Sequence, residues 1–235
     1  MDEEVYYHFL SADHAIDDLK KKRLKVSLFR DLNDVFELQP YLRYKYEKRQ
    51  PYHREFERIS NKWGMLCFSA TREQQLMWAH YADKHRGIAL GFAKPKGRLV
   101  KVCYPDSEIR TKIDLTRDDT ENERRFLELA KVKSHDWHYE KEHRLLLELK
   151  ECTCDEEKRR YLGCFGDDLR LREVVEEEKW HFKPFGDGLE LREVVLGCRF
   201  DQNKRSQVQH LADRLGAVVI ETREEWQGYK IKRKG

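Results

Sequence analysis

The chain has 235 residues, 39% of them hydrophobic, with five Trp, eleven Phe and eleven Tyr, which is enough apolar mass for a sizeable core. Charged residues make up another 39%, but 47 Lys and Arg against 44 Asp and Glu nearly cancel, so the excess of +3 gives no ground for a polyanionic partner. The opening MDEEVYYHFL lacks the basic start and apolar run of a secretion signal, and no stretch approaches the roughly 20 apolar residues that cross a bilayer, which predicts a cytoplasmic protein without a membrane partner.

EVYYHFL alternates aromatic and β-branched residues and reads as a strand; Ser11 then stands where a helix N-cap belongs, with Asp13 in the first turn of a helix to about Lys22. Leu24 to Leu28 reads as a second strand, and RDLNDVFE breaks regularity at Asn33 and Asp34. Residues 36–62 are polar, aromatic and basic, which predicts helix with a break at Pro51. WGMLCFSA is a continuous apolar run suited to a buried central strand, and the TREQ after it matches a capping box, Thr71 bonding forward and Gln74 back, so that the helix QQLMWAHYA opens directly off the strand. GIALGF and LVKVCY follow as strands, Asp118 to Lys133 as a charged amphipathic helix, and EHRLLLELK as a strong strand. Near the end, GDDLRLREVV from Gly166 and GDGLELREVV from Gly186 echo one another, and the second copy leads into a strand LREVVLG, a helix NKRSQVQHLADRLG and a strand AVVIETR. The reading is α+β, one domain over residues 1–235, with 166–235 as its C-terminal extension.

Six cysteines without a CxxC pair read as reduced thiols, and Cys152, Cys154 and Cys164 lack an evident fourth ligand, so no metal site is assigned. Three places combine polar groups with strand ends: His8, the helix carrying Trp78, His80 and Tyr81, and the pair Glu140 and Glu142. If the extended backbone reaches back to Glu140, the two carboxylates share one strand face, where their repulsion would raise one pKa. Lys141, His143 and Arg144 could instead make them an ordinary ion-pair network, His8 a core histidine and the aromatic helix plain packing.

The order of these residues resembles the H-Y-E triad of the ADP-ribosyltransferase superfamily. YYHFLSADHAIDDLKKKRLKVS resembles its first motif in the DNA- and RNA-modifying branches, CFSA followed by MWAHYADKHRGIALGF its second, and YEKEHRLLLEL its third. The blocks also resemble a bacterial domain-of-unknown-function family, number 2971, through Asn33-Asp34, Glu37, Cys67-Phe68-Ser69, Met77-Trp78 and Trp137. The resemblance implies a split mixed or antiparallel β-sheet core with flanking helices, and an enzyme that takes NAD and transfers ADP-ribose to a macromolecule, with DNA or RNA as the candidate acceptor. It implies a role as toxin or anti-phage defence effector, with an antitoxin or defence-system partner. Carried onto this chain, it makes Glu142 the carboxylate beside the ribose and Glu140 the group that orients or deprotonates the acceptor. Tyr81 would stack on nicotinamide, His8 would bond a ribose hydroxyl, Arg30 or its loop would meet the pyrophosphate, and Asn33 and Ser69 complete the NAD-binding set. Phe68-Ser69-Ala70 departs from the Ser-Thr-Ser strand of arginine-directed members, so their acceptor is not carried over.

Two rival readings use other residues. Pro105-Asp106 with Glu148 and Lys150 on one strand face would suit a metal-dependent PD-ExK nuclease. The basic aromatic segment 41–63 would suit a non-catalytic nucleic-acid-binding protein. His138 to Glu140 mimics the H-x-E of zinc deaminases, but the P-C-x-x-C partner is missing.

Overall fold

The computed structural model describes residues 4–38, 49–106, 118–165, 168–186, 188–225 and 227–234. Strand β1 (Val5–Leu10) ends at Ser11, whose hydroxyl accepts the His14 N–H and opens helix α1 (Ala12–Lys21). Lys22 closes that helix in the left-handed region, at φ 54°, and turns the chain into β2 (Arg23–Lys25) and β3 (Ser27–Leu28). The single strand expected over Leu24 to Leu28 is thus two, because Val26 donates its N–H to His181 and each half pairs with a different sheet.

Helix α2 (Arg49–Ser60) runs through Pro51 without a break, since a proline in the first turn lacks an N–H that has no helical partner there anyway. Strand β4 (Trp63–Ser69) leads to α3 (Gln75–Tyr81), but not through the expected capping box. The Thr71 hydroxyl accepts the Glu73 N–H in a local turn and Gln74 bridges to Lys230, so the helix starts one residue later with Gln74 as its cap. Then come β5 (Ile88–Ala93), β6 (Arg98–Lys101), α4 (Asp119–Leu129) capped by the Asp118 carboxylate, and β7 (Glu142–Glu148). Residues that gave no strand signal form a long ribbon, β8 (Thr153–Phe165) and β9 (Asp168–Pro184). Its register sets Lys158 opposite Glu177 and Arg159 opposite Glu176. Last are β10 (Leu191–Leu196), α5 (Arg205–Arg214), β11 (Val218–Glu224) and β12 (Ile231–Arg233). The two echoed segments have different fates, one inside the ribbon and one entering β10, while residues 166, 167 and 187 lie outside the described set.

The architecture is mixed α+β. The main sheet runs β12-β11-β10-β5-β1-β4-β7-β6, with β3 also on β4, and a smaller sheet runs β2-β9-β8. All pairs are antiparallel except β10 with β11, which α5 joins as a crossover. One junction is incomplete. β1 matches β5 over six register pairs and β4 matches β7 over seven, yet β1 meets β4 only at Tyr7 and Ser69. Further along, β3 replaces β1 on that edge of β4, with Ser27 opposite Met65. The sheet therefore opens between the two contacts.

Alternation along the strands sorts the core. Leu66, Leu90, Phe92, Val194 and Leu145 face α1 and α5 on one side. On the other side Tyr52, Ile59, Trp63 and Phe126 join α2 and α4 to the sheet, and Phe9, Met77, Trp78 and Ala89 seat α3. Trp78 meets Phe9 edge-on at 5.1 Å and donates its indole N–H to the Arg72 carbonyl at 2.7 Å. Phe126 is wholly buried, with the Tyr52 ring stacked at 5.3 Å. Phe126→Ala is expected to cost about 3–5 kcal/mol through lost burial and an unfilled cavity, read as a lower denaturant midpoint with an unchanged slope.

Candidate functional site

A cavity of about 330 Å³ occupies the opening between β1 and β4. Tyr7, His8 and Phe9 line it from β1, Cys67 and Phe68 from β4, and Met77 and Tyr81 from α3. Lys25 and Ser27 enter from the β2 and β3 side, Asp31, Asn33 and Glu37 from the loop that follows, and Lys133, Glu140 and Glu142 from the opposite wall. His8, Tyr81 and both predicted carboxylates thus share one cavity.

Glu140 and Glu142 do not share a strand face as expected. Glu140 ends a 3-10 turn (His135–Glu140), and Lys141 then takes a left-handed conformation at φ 47° before β7 begins. That one unusual backbone residue, rather than strand alternation, aims both carboxylates into the cavity. The Ser69 hydroxyl fixes the turn by donating to the Glu140 carbonyl at 2.7 Å, and the Tyr104 hydroxyl accepts the Glu142 N–H at 2.9 Å. Ser69 is buried and does not line the cavity, so its role is to hold the turn.

Behind the carboxylates lies a buried ion cluster. Arg144 grips Glu142 through two bonds of 2.8 Å, donates to the Ala130 carbonyl and contacts Glu37. Lys133 donates to Glu140 at 2.7 Å, stands 3.6 Å from both Glu37 and Glu142, and lies 4.5 Å from the centre of the Trp137 ring. None of the five charged side chains is more than 6% exposed. Three carboxylates therefore face two cations.

The cluster separates the two candidate carboxylates electrostatically. Burial alone would raise both, but the Arg144 guanidinium, and then Lys133, hold Glu142 down at about 2, so it stays ionised. For Glu140 burial wins over Lys133 and the Tyr81 hydroxyl, and its pKa is raised. Burial lowers Lys133, but the three carboxylates more than reverse this and keep it charged. Cys67 is pushed well up, first by burial and then by the Glu142 charge, and remains a thiol.

Tyr81 donates its hydroxyl to Glu140 at 2.6 Å and accepts from the Asn33 amide at 3.1 Å, so α3, the 30s loop and the Glu140 turn meet at one oxygen. His8 Nδ1 lies 2.7 Å from the Cys67 carbonyl, where the ladder between β1 and β4 would have continued. A carbonyl only accepts, so Nδ1 carries the hydrogen; burial lowers the pKa, and the neutral ring keeps Nε2 as an acceptor. Arg30 is exposed and does not line the cavity, because the 3-10 turn Phe29–Asp31 buries Phe29 and turns Arg30 away. Lys133, Arg144, Cys67, Tyr104 and Lys25 were not among the residues singled out as a site. A lone lysine at the end of a charged helix carries no sequence signal that it is buried.

The rival constellations come apart. Strand β7 ends at Glu148, and Lys150 lies in a 3-10 turn, paired with Glu148 at 2.7 Å, rather than on its strand face. Lys101 lies opposite His143, so Asp106 belongs beyond the other end of β7, where it meets His135 at 3.0 Å. Of segment 41–63, residues 41–48 lie outside the described set; Tyr52 and Trp63 are buried and Phe56 packs on the same cluster, so these rings form core rather than a stacking surface. Cys154 is exposed, Cys152 is half-buried with its thiol 3.7 Å from the Glu148 carbonyl, and the Cys164 side chain lies outside the described set.

Fold and site define an α+β protein whose open sheet holds a cavity walled by buried carboxylates. Residues 77–145 match the family model described as Protein of unknown function (DUF2971), a segment that contains Tyr81, Lys133, Glu140, Glu142 and Arg144 but neither His8 nor Glu37. No curated protein and no solved structure matches the chain. No helix among the described residues is long and apolar enough to cross a membrane.

The charge count makes an asymmetric prediction. Arg144→Met leaves three buried carboxylates against one cation and is expected to cost about 3–5 kcal/mol at neutral pH. Glu140→Gln leaves two against two and is expected to cost under about 1 kcal/mol or to stabilise. The Glu142 contribution, being that of a lowered pKa, is present above the ordinary carboxylate range and fades as pH falls toward 2, so the gap between wild type and Arg144→Met should narrow on acidification. Chemical denaturation of the three proteins from pH 7 to pH 3 measures this; equal destabilisation by the two substitutions would contradict the count.

Proposed function

We propose that the cavity binds NAD and transfers its ADP-ribose to a macromolecular acceptor, with nucleic acid as the acceptor class. The observation that carries the reading is that His8, Tyr81 and Glu142, from distant parts of the chain, line one cavity in a split sheet. In this reading the fold is an ADP-ribosyltransferase core.

The chemistry suits the residues. The bond between nicotinamide and ribose C1′ breaks, its electron pair leaves with nicotinamide, and positive charge develops on the ribose. An ionised carboxylate held rigidly beside that carbon stabilises the charged state more than the neutral one. Glu142 has the lowered pKa and the fixed geometry for this. The acceptor O–H or N–H attacks C1′ and its proton goes to Glu140, whose raised pKa fits a base. His8 Nε2 accepts from a ribose hydroxyl. The Tyr81 ring, anchored through its hydroxyl, offers the nicotinamide a flat wall. The effector role and its antitoxin or defence partner belong to the same proposal.

The test is incubation of purified protein with NAD labelled on the adenylate together with DNA, RNA and cell lysate. Label is expected on one polymer class. Glu142→Gln should reduce transfer by about 10²–10³-fold or more while folding is retained, because two carboxylates still balance two cations. Activity should rise with pH through the raised Glu140 pKa, and Glu140→Gln should remove that limb. No label on any acceptor and no release of nicotinamide would refute the reading.

A further inference from the structure

The cavity has two unlike ends. Along β4, Ser69 lies opposite Glu142 and Met65 lies opposite Ser27, four residues apart, or about 13 Å at roughly 3.3 Å per residue. The carboxylate cluster closes the first end and Ser27 lies at the second; Lys25, two residues before Ser27, also lines the cavity.

The lining cations are not equivalent. Lys133 is committed to Glu140, Glu37 and Glu142. Lys25, at the end of β2, pairs with no carboxylate among the described residues; its ammonium lies 3.9 Å from the centre of the Trp180 ring of β9. A ring face orients a cation without neutralising it, so the charge remains available. Asp31 also lines the cavity and makes no ion pair with Lys25; as an acceptor-only group it suits hydroxyls rather than phosphate. A ligand matched to this polarity carries developing positive charge where it meets the carboxylates and phosphate oxygens where it meets Lys25.

We propose that Lys25, held over Trp180 in the cavity lining, is the contact for the phosphate groups of a diphosphate-bearing nucleotide. This rests on the reading of the cavity as an NAD site, and it moves the phosphate contact from Arg30, which does not line the cavity, to Lys25. Ser27 adds a hydroxyl donor on the same wall. Lys25 is a specificity residue here: it selects ligands with phosphate over the same ring and sugar without it.

The experiment is calorimetric binding of ADP-ribose, inorganic pyrophosphate and nicotinamide riboside to wild type, Lys25→Met and Lys25→Arg, each checked for an unchanged melting transition. Lys25→Met is expected to lose about 10- to 100-fold in affinity for ADP-ribose and pyrophosphate, with nicotinamide riboside unaffected and Lys25→Arg close to wild type. Wild-type affinity for ADP-ribose in Lys25→Met, or no binding of either phosphate ligand to wild type, overturns the assignment. The two readings fail separately. Pyrophosphate binding that depends on Lys25, in a protein that never consumes NAD, keeps the phosphate contact and removes the NAD reaction. Turnover of NAD with ADP-ribose affinity indifferent to Lys25 does the reverse.

Discussion

A single backbone contact, Tyr7 against Ser69, decides the shape of this molecule. At it the two halves of the main sheet meet; beyond it β1 follows β5, β4 follows β7, and the space between them is the cavity. The contact is clamped by side chains. Arg72 donates to the Tyr7 hydroxyl at 2.7 Å and to Glu193 at 2.5 Å, and Tyr7 itself donates to Glu193 at 2.9 Å, so β1, the segment after β4 and β10 are tied at one point. Burial, reinforced by the Glu193 charge, raises the Tyr7 pKa to about 12 and keeps its hydroxyl a donor. His8 then supplies from its ring the hydrogen bond that the ladder no longer makes.

The ion cluster follows from the same opening. Polar groups facing a cavity need partners when water is scarce, and Glu37, Glu140 and Glu142 find them in Lys133 and Arg144. Such clusters are poor sources of stability, because desolvating five charges costs about as much as their attraction returns. Its yield is a pair of carboxylates with opposite pKa shifts within one wall. That separation comes from geometry alone: Arg144 holds Glu142 in a two-point grip, whereas Glu140 has one ammonium and one phenol.

Much of this could be read in the chain, and the divisions are physical. β4, β5, β7 and the β10, α5, β11 unit were legible because strands covered on both faces must be apolar along their length, and a crossover helix must show a stripe. The order of His8, Tyr81, Glu140 and Glu142 along the chain singled out four residues that line one cavity. The β8 and β9 ribbon was hidden because residues 155–160 and 176–179 are runs of charge with no apolar alternation. The break at Val26 depends on a partner, His181, over 150 residues away, and no local pattern reports it. Arg144 was legible as an ion-pair partner of the carboxylates, and it does grip Glu142, but neither its burial nor that of Lys133 shows in the sequence, because burial is a property of the packed wall. A guanidinium matches phosphate in charge and shape, but the 3-10 turn Phe29–Asp31 leaves Arg30 exposed and outside the cavity lining.

Strand β5 carries a further implication. All six of its residues are buried, with β1 on one edge and β10 on the other. Some hundred residues of chain separate β5 from β10. During vectorial synthesis on the ribosome the β5 edge that awaits β10 therefore stays uncapped until the last fifth of this sequence emerges. An uncapped apolar edge is a template for intermolecular pairing. Nascent chains of this protein thus pass through a stage, set by topology, in which one edge of β5 has no partner.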